Sequence, residues 1–295
     1  MNNIRLQKYI AFQIFLKTMA VKWFLAFVLI GLLGLGVGCR ARSTNQSPPA
    51  PSTPIMVAAA ASLTDVLTEI QALYEQTQPG IKVQYNFAGS GTLRQQIEGG
   101  AEVDVFFSAA AAQMDRLQAQ DRLAPGTRRD LLKNRLVLIA PRQTKAPIAQ
   151  VQEIATDKVQ RLAIGNPQSV PVGQYTQAVL LKTGLWPQVQ SKTVFASNVR
   201  QVLQLVESGN VDAGIVYLTD AKKSKKIRTV EVISETLHPP IVYPIAALRD
   251  SKKLSQAQDF VQFLSSQAVE PIFIRAGFTI YTLQASKRHS FRPLF

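Results

Sequence analysis

Two serines stand where side chain and backbone together can grip an anion. Ser62 closes the apolar and small-residue run that begins at Ile55. Beyond it the period changes, with Leu63, Val66, Leu67, Ile70, Leu73 and Tyr74 recurring at helical spacing. Ser90 lies between Gly89 and Gly91, after the alternating stretch IKVQYNFA (81–88) and before a helical stripe begun by Leu93 and Ile97. Both turns read as a strand delivering its end to the start of a helix, where unpaired N–H groups and partial positive charge collect. A serine there is either a plain cap or part of an anion site. Glycines beside Ser90 let the backbone come close to a bound group. Taken singly, each turn is as well explained by capping or tight turning, so a functional reading needs the device to recur.

It does recur. Pro171, Val172 and Gly173 precede the stripe Tyr175, Ala178, Val179 and Leu181, and Ser197 or Asn198 caps the helix that carries Val199. Tyr217 ends a further strand at the probable helix start LTDAKKS. The residues for covalent chemistry are missing from these turns. The GSG at 89–91 is neither a nucleophile elbow nor a phosphate loop with the lysine-serine/threonine ending, and His238 and His289 lie late in the chain. Arg94 and Arg200 lie near two helix starts and read as solvent-facing residues rather than ligands.

The elements that must position these turns alternate along the chain. After the segments above, strands are expected at 101–109, 135–141, 161–167, 226–233 and 241–248, with a long closing helix from Ser255 to Gly277. Alternating strands and helices predict an α/β protein with mixed, mostly parallel sheets.

Several segments in order, AAAASL, FAGSGTLRQQIEGGAEVDVFFSA, GNPQSVPVGQYTQAVLLKTG, SNVRQVLQLVESGNVDAGIVY and RAGFTIY, resemble the extracytoplasmic molybdate-binding proteins of ABC transporters. The likeness runs from about Ile55 to Tyr281. It implies the type II periplasmic-binding-protein fold, two α/β lobes joined by two crossovers with the oxyanion between them. Lobe one is then 55–137 plus 243–283, and lobe two is 138–242.

The resemblance also implies the ligand set. Ser62 and Ser90 would each give a hydroxyl and a backbone N–H, Val172 and Val199 a backbone N–H, and Tyr217 a hydroxyl. Relatives often carry serines where Gly89 and Gly91 stand, which predicts a looser loop here, and alanine where Val172 stands. The expected ligand is molybdate, with tungstate, and the expected partner is a membrane permease of an ABC transporter; no catalytic cofactor, enzymatic activity or nucleic-acid partner is implied. A monomer suffices for one ion. Such a dianion is unprotonated at neutral pH and accepts hydrogen bonds at every oxygen, so a pocket of donors with no carboxylate suits it. Protonated phosphate would call for an acidic acceptor. Sulfate or another tetrahedral oxyanion, and a secreted α/β enzyme using the same cleft, are the competing readings.

The remaining sequence concerns location. Of 295 residues, 46% are hydrophobic and the net charge is +14, but the basic residues are scattered apart from KKSKK at 222–226 and the tail at 284–295. That dispersal argues against a nucleic-acid-binding surface. Residues 1–38 read as a signal or membrane-targeting segment, with an alternative start at Met19, and 39–54 as a polar tether. Cys39, the single cysteine, follows GVG as in a bacterial lipoprotein signal, although Gly36 replaces the usual leucine. Lipidation at Cys39, simple cleavage and retention of an uncleaved anchor all fit an exported, periplasmic or extracytoplasmic protein.

Overall fold

The computed structural model describes residues 54–281 apart from Lys145. The targeting segment, tether, Cys39 and basic tail lie outside the described residues.

From the N-terminal side the chain forms β1 (Ile55–Ala60), a single 3-10 turn (Ala61–Leu63), α1 (Thr64–Thr77), β2 (Val83–Ala88), α2 (Ser90–Glu98), β3 (Val105–Phe107), α3 (Ala111–Ala119) and β4 (Arg129–Lys133). There follow β5 (Leu136–Pro141), β6 (Leu162–Gly165), α4 (Pro171–Lys182), α5 (Trp186–Val189), β7 (Thr193–Ala196), α6 (Val199–Glu207), β8 (Ala213–Tyr217), α7 (Leu218–Ala221) and β9 (Ile227–Val232). The chain closes with β10 (Val242–Ala247), α8 (Leu254–Leu264), α9 (Glu270–Ala276) and β11 (Thr279–Ile280).

The strands make two sheets, ordered β11-β4-β10-β3-β1-β2 and β7-β6-β8-β5-β9. The chain passes from the first to the second between Lys133 and Leu136, and returns between Val232 and Val242. The first sheet is buried on both faces. Leu67, Ile70, Tyr74 and Phe260 of α1 and α8 pack on one side, with the Tyr74 and Phe260 rings edge-on at 4.8 Å. Leu93 and Ile97 of α2 join Met114 and Leu117 of α3 over Ala58 and Phe106 on the other. Helix α6 buries Val199, Val202, Leu203 and Val206, the i, i+3, i+4, i+7 stripe that seats it on the second sheet.

Three expectations need correction. The sheets are mixed, but not mostly parallel. β1 pairs parallel with β2 and β3, and β6 with β7 and β8. The five other pairings, made by β4, β5, β10 and their neighbours, are antiparallel. The strands that flank the two passages between sheets run against their neighbours, which strand-helix alternation does not foretell. Strand β4 was not expected, because in RDLLK only Leu131 and Leu132 are buried between charged residues. The closing helix is two helices, because Pro271 lacks an N–H and its ring would collide with the preceding turn; it is instead accommodated in the first turn of α9.

Candidate functional site

Four strand-to-helix junctions converge on one small cavity. β1 leads into the 3-10 turn holding Ser62, β2 ends beside Ser90, the loop after β6 brings Val172, and β7 leads to Val199. Tyr217, the last residue of β8, completes the wall. All five expected residues therefore line the same space, and all five are buried. The site lies at the carboxyl ends of parallel strands, where open α/β sheets place ligands. Its volume of about 10 Å³ is far below the roughly 300–1,000 Å³ of pockets for drug-sized molecules, so the walls stand close together and suit only a compact solute.

The lining carries no acidic, basic or histidine side chain. What it offers is donors. Ser90 and Val199 are the first residues of α2 and α6, and Val172 is the second of α4, so their N–H groups have no partner within the helix. The helix starts add positive potential without a formal charge. The Ser90 Oγ accepts the Ala109 N–H at 3.0 Å, which leaves its own proton free. The Ser62 Oγ lies 3.0 Å from the Tyr243 hydroxyl, which in turn accepts from Asn134 Nδ2 at 3.2 Å. The Tyr217 hydroxyl is buried and has no hydrogen-bond partner among the described residues. Burial pushes its pKa well above the usual phenol range, so it keeps its proton as a donor.

Neither arginine lines the cavity, yet neither is the solvent-facing residue expected. Arg94 is held between Gln113 and Glu98. Arg200 reaches from α6 to Asp65 of α1 at 2.6 Å, with its Nε 3.1 Å from buried Asp220. Asn198 is the cap of α6, accepting the Gln201 N–H at 3.0 Å, and also lines the cavity. The sequence reading had no signal for Asn134 and Tyr243, since one is a lone polar residue between strands and the other an aromatic within a buried strand. The glycines flanking Ser90 are tightly packed rather than loose, because the backbone at Ser169 and Ser197 comes against them.

Residues 55–279 match the family model described as bacterial extracellular solute-binding protein. The chain belongs to this family. A solute-binding protein of this kind is not an enzyme, and among the described residues no group of three or more His, Cys, Asp or Glu could hold a metal ion. The chain is 38% identical over 256 residues to YvgL of Bacillus subtilis (strain 168), named as a candidate ABC transporter substrate-binding lipoprotein, covering 87% of this chain and 96% of the relative. It is 36% identical to the molybdate-binding protein ModA of Haemophilus influenzae, over 78% of this chain and 91% of the relative. Among solved structures it is similar to the substrate-binding domain of a candidate molybdenum ABC transporter from Clostridium difficile, with 37% identity and a TM-score of 0.60. That match covers 78% of this chain and 99% of the other. These relatives bear out the family resemblance read from the sequence, and the fold is the open, mixed α/β arrangement of type II periplasmic binding proteins.

Proposed function

We propose that this solute-binding protein captures molybdate, and tungstate with it, outside the cytoplasm and delivers the ion to the permease of an ABC transporter. One observation carries the reading. Hydroxyls and helix-start amides from both sheets surround one small cavity with no carboxylate in its wall. Ser62, Ser90 and Tyr217 supply hydroxyl protons, and Ser62, Ser90, Val172 and Val199 supply backbone N–H groups. An unprotonated dianion can accept from all of them. Hydrogen phosphate, which must also donate, finds no acidic acceptor there. Similarity to proteins named for molybdate supports the choice of ion.

In this reading 55–137 and 243–283 form one lobe and 138–242 the other, and closure completes the donor shell around the ion. Cys39 is the lipid attachment point that holds a monomeric protein beside its permease. Crystals grown with molybdate test the site, because the metal's anomalous signal locates it. The expected peak lies in the cavity, with anion oxygens within hydrogen-bond reach of Ser62, Ser90 and Tyr217. A peak elsewhere, or none, would contradict the assignment.

A further inference from the structure

The hydroxyls in the cavity wall are held in different ways, and Ser62 is held by a relay. Asn134 sits between β4 and β5, where the chain passes to the second sheet, and Tyr243 lies on β10, where it has returned. The Asn134 Oδ1 accepts the Arg135 N–H at 2.9 Å. That turns Nδ2 toward the Thr219 Oγ1 at 2.9 Å and the Tyr243 hydroxyl at 3.2 Å. An amide nitrogen only donates. Tyr243 therefore receives a proton from Asn134 and must place its own elsewhere. Its other hydrogen bond, among the described residues, is with Ser62 Oγ at 3.0 Å, where either oxygen can donate. Donation to Ser62 satisfies the O–H of Tyr243, which is fully buried. Once the Ser62 oxygen accepts from Tyr243, the proton of Ser62 is released toward the cavity it lines.

We propose that Asn134 and Tyr243 are positioning residues which fix the direction of this hydroxyl chain, so that Ser62 donates into the cavity and the site favours fully deprotonated oxyanions over those that keep a proton. Without the relay, Ser62 is free to turn and accept, and an anion bearing its own proton gains a partner. The proposal rests on the reading of the cavity as an oxyanion site.

The test uses the full-length chain in detergent, titrated with molybdate and with inorganic phosphate, with sulfate as an unprotonated control. Tyr243→Phe should weaken molybdate about tenfold, the worth of one hydrogen bond, while phosphate holds or tightens. Sulfate should follow molybdate. Asn134→Ala, which keeps the Tyr243 ring in place, should move the molybdate-to-phosphate ratio the same way, and it carries the test if the first variant fails to fold. In a Ser62→Ala background Tyr243→Phe should have no further effect on molybdate, which a merely structural role would not produce. An unchanged ratio in both single variants, or an undiminished Tyr243→Phe effect without the Ser62 hydroxyl, would overturn the relay alone. A wild-type chain that binds none of the three anions would overturn the proposed function and the relay together.

Discussion

The backbone N–H of Gly91 donates to the carbonyl of Ser169 at 2.9 Å, joining the helix that follows β2 of the first sheet to the loop that follows β6 of the second. A Cβ on Gly91 would stand 2.5 Å from that same oxygen, and one on Gly89 would stand 3.0 Å from the carbonyl of Ser197. The two glycines thus admit the opposing backbone to within hydrogen-bonding distance. Their place beside Ser90 serves the contact between the two sides as much as the approach of an ion.

Gly91→Ala should hold the two sides apart while leaving every proposed donor in the chain. Molybdate affinity is expected to fall at least tenfold, about one lost hydrogen bond plus the displacement of its neighbours. Small-angle scattering should show less compaction on adding the ion than in the wild type. Unchanged affinity with full compaction would show that the contact is dispensable.

Tyr217→Phe separates binding from stability. The hydroxyl is buried without a partner, an arrangement that costs about 1–3 kcal/mol unless something fills the cavity. The variant should melt at or above the wild-type temperature without ligand, yet bind molybdate about 10- to 100-fold more weakly, because a hydrogen bond to a charged acceptor is lost. Melting curves and titrations check both halves. A variant that loses stability but keeps affinity would place the hydroxyl's role outside the cavity.

Each of the two serines should lose stability as well as affinity on replacement by alanine. Ser90 Oγ also accepts the Ala109 N–H, so Ser90→Ala strands a buried amide and should cost roughly 1–2 kcal/mol of folding stability as well as affinity. Ser62→Ala strands the buried Tyr243 O–H in the same way and should cost a similar amount, roughly 1–2 kcal/mol, along with affinity. Denaturant titrations without ligand measure both losses. Full stability in either variant would contradict this account.

Asp220 predicts a pH dependence. Burial pushes its carboxyl pKa from 3.8 up to about 7, despite Arg200 pulling the other way. The folded state therefore holds the proton more tightly than the unfolded state, where the value is the ordinary one. Its contribution to stability is complete below about pH 4 and is lost as pH rises through about 7. Asp220→Asn should remove that slope and make the variant on the order of 2 kcal/mol more stable than wild type at pH 8, with little difference at pH 4. Denaturant midpoints across that range are the check. Parallel pH profiles would refute it.

The parts of the molecule legible from sequence are those set by local period and turn chemistry. The apolar run into Ser62 and the G-S-G turn announced strand-to-helix junctions, and the cap at Ser197 or Asn198 announced α6. Long-range pairing left no such mark. Nothing in RDLLK says that β4 lies antiparallel to a strand more than a hundred residues later, and strand-helix alternation overstated the parallel pairing. The Ser62–Tyr243 contact spans 181 residues, so the group that orients a site residue was invisible until the chain was folded. Arg200 illustrates the same limit, since its partners Asp65 and Asp220 lie on helices that follow strands of different sheets.

The most direct test of the central claim is calorimetric titration of the full-length chain with molybdate, tungstate, sulfate and phosphate, each under the same ionic conditions. Tight one-to-one binding of molybdate and tungstate, with sulfate and phosphate much weaker, is the predicted result. Preferential binding of sulfate or phosphate, or no binding by a folded chain, would contradict it.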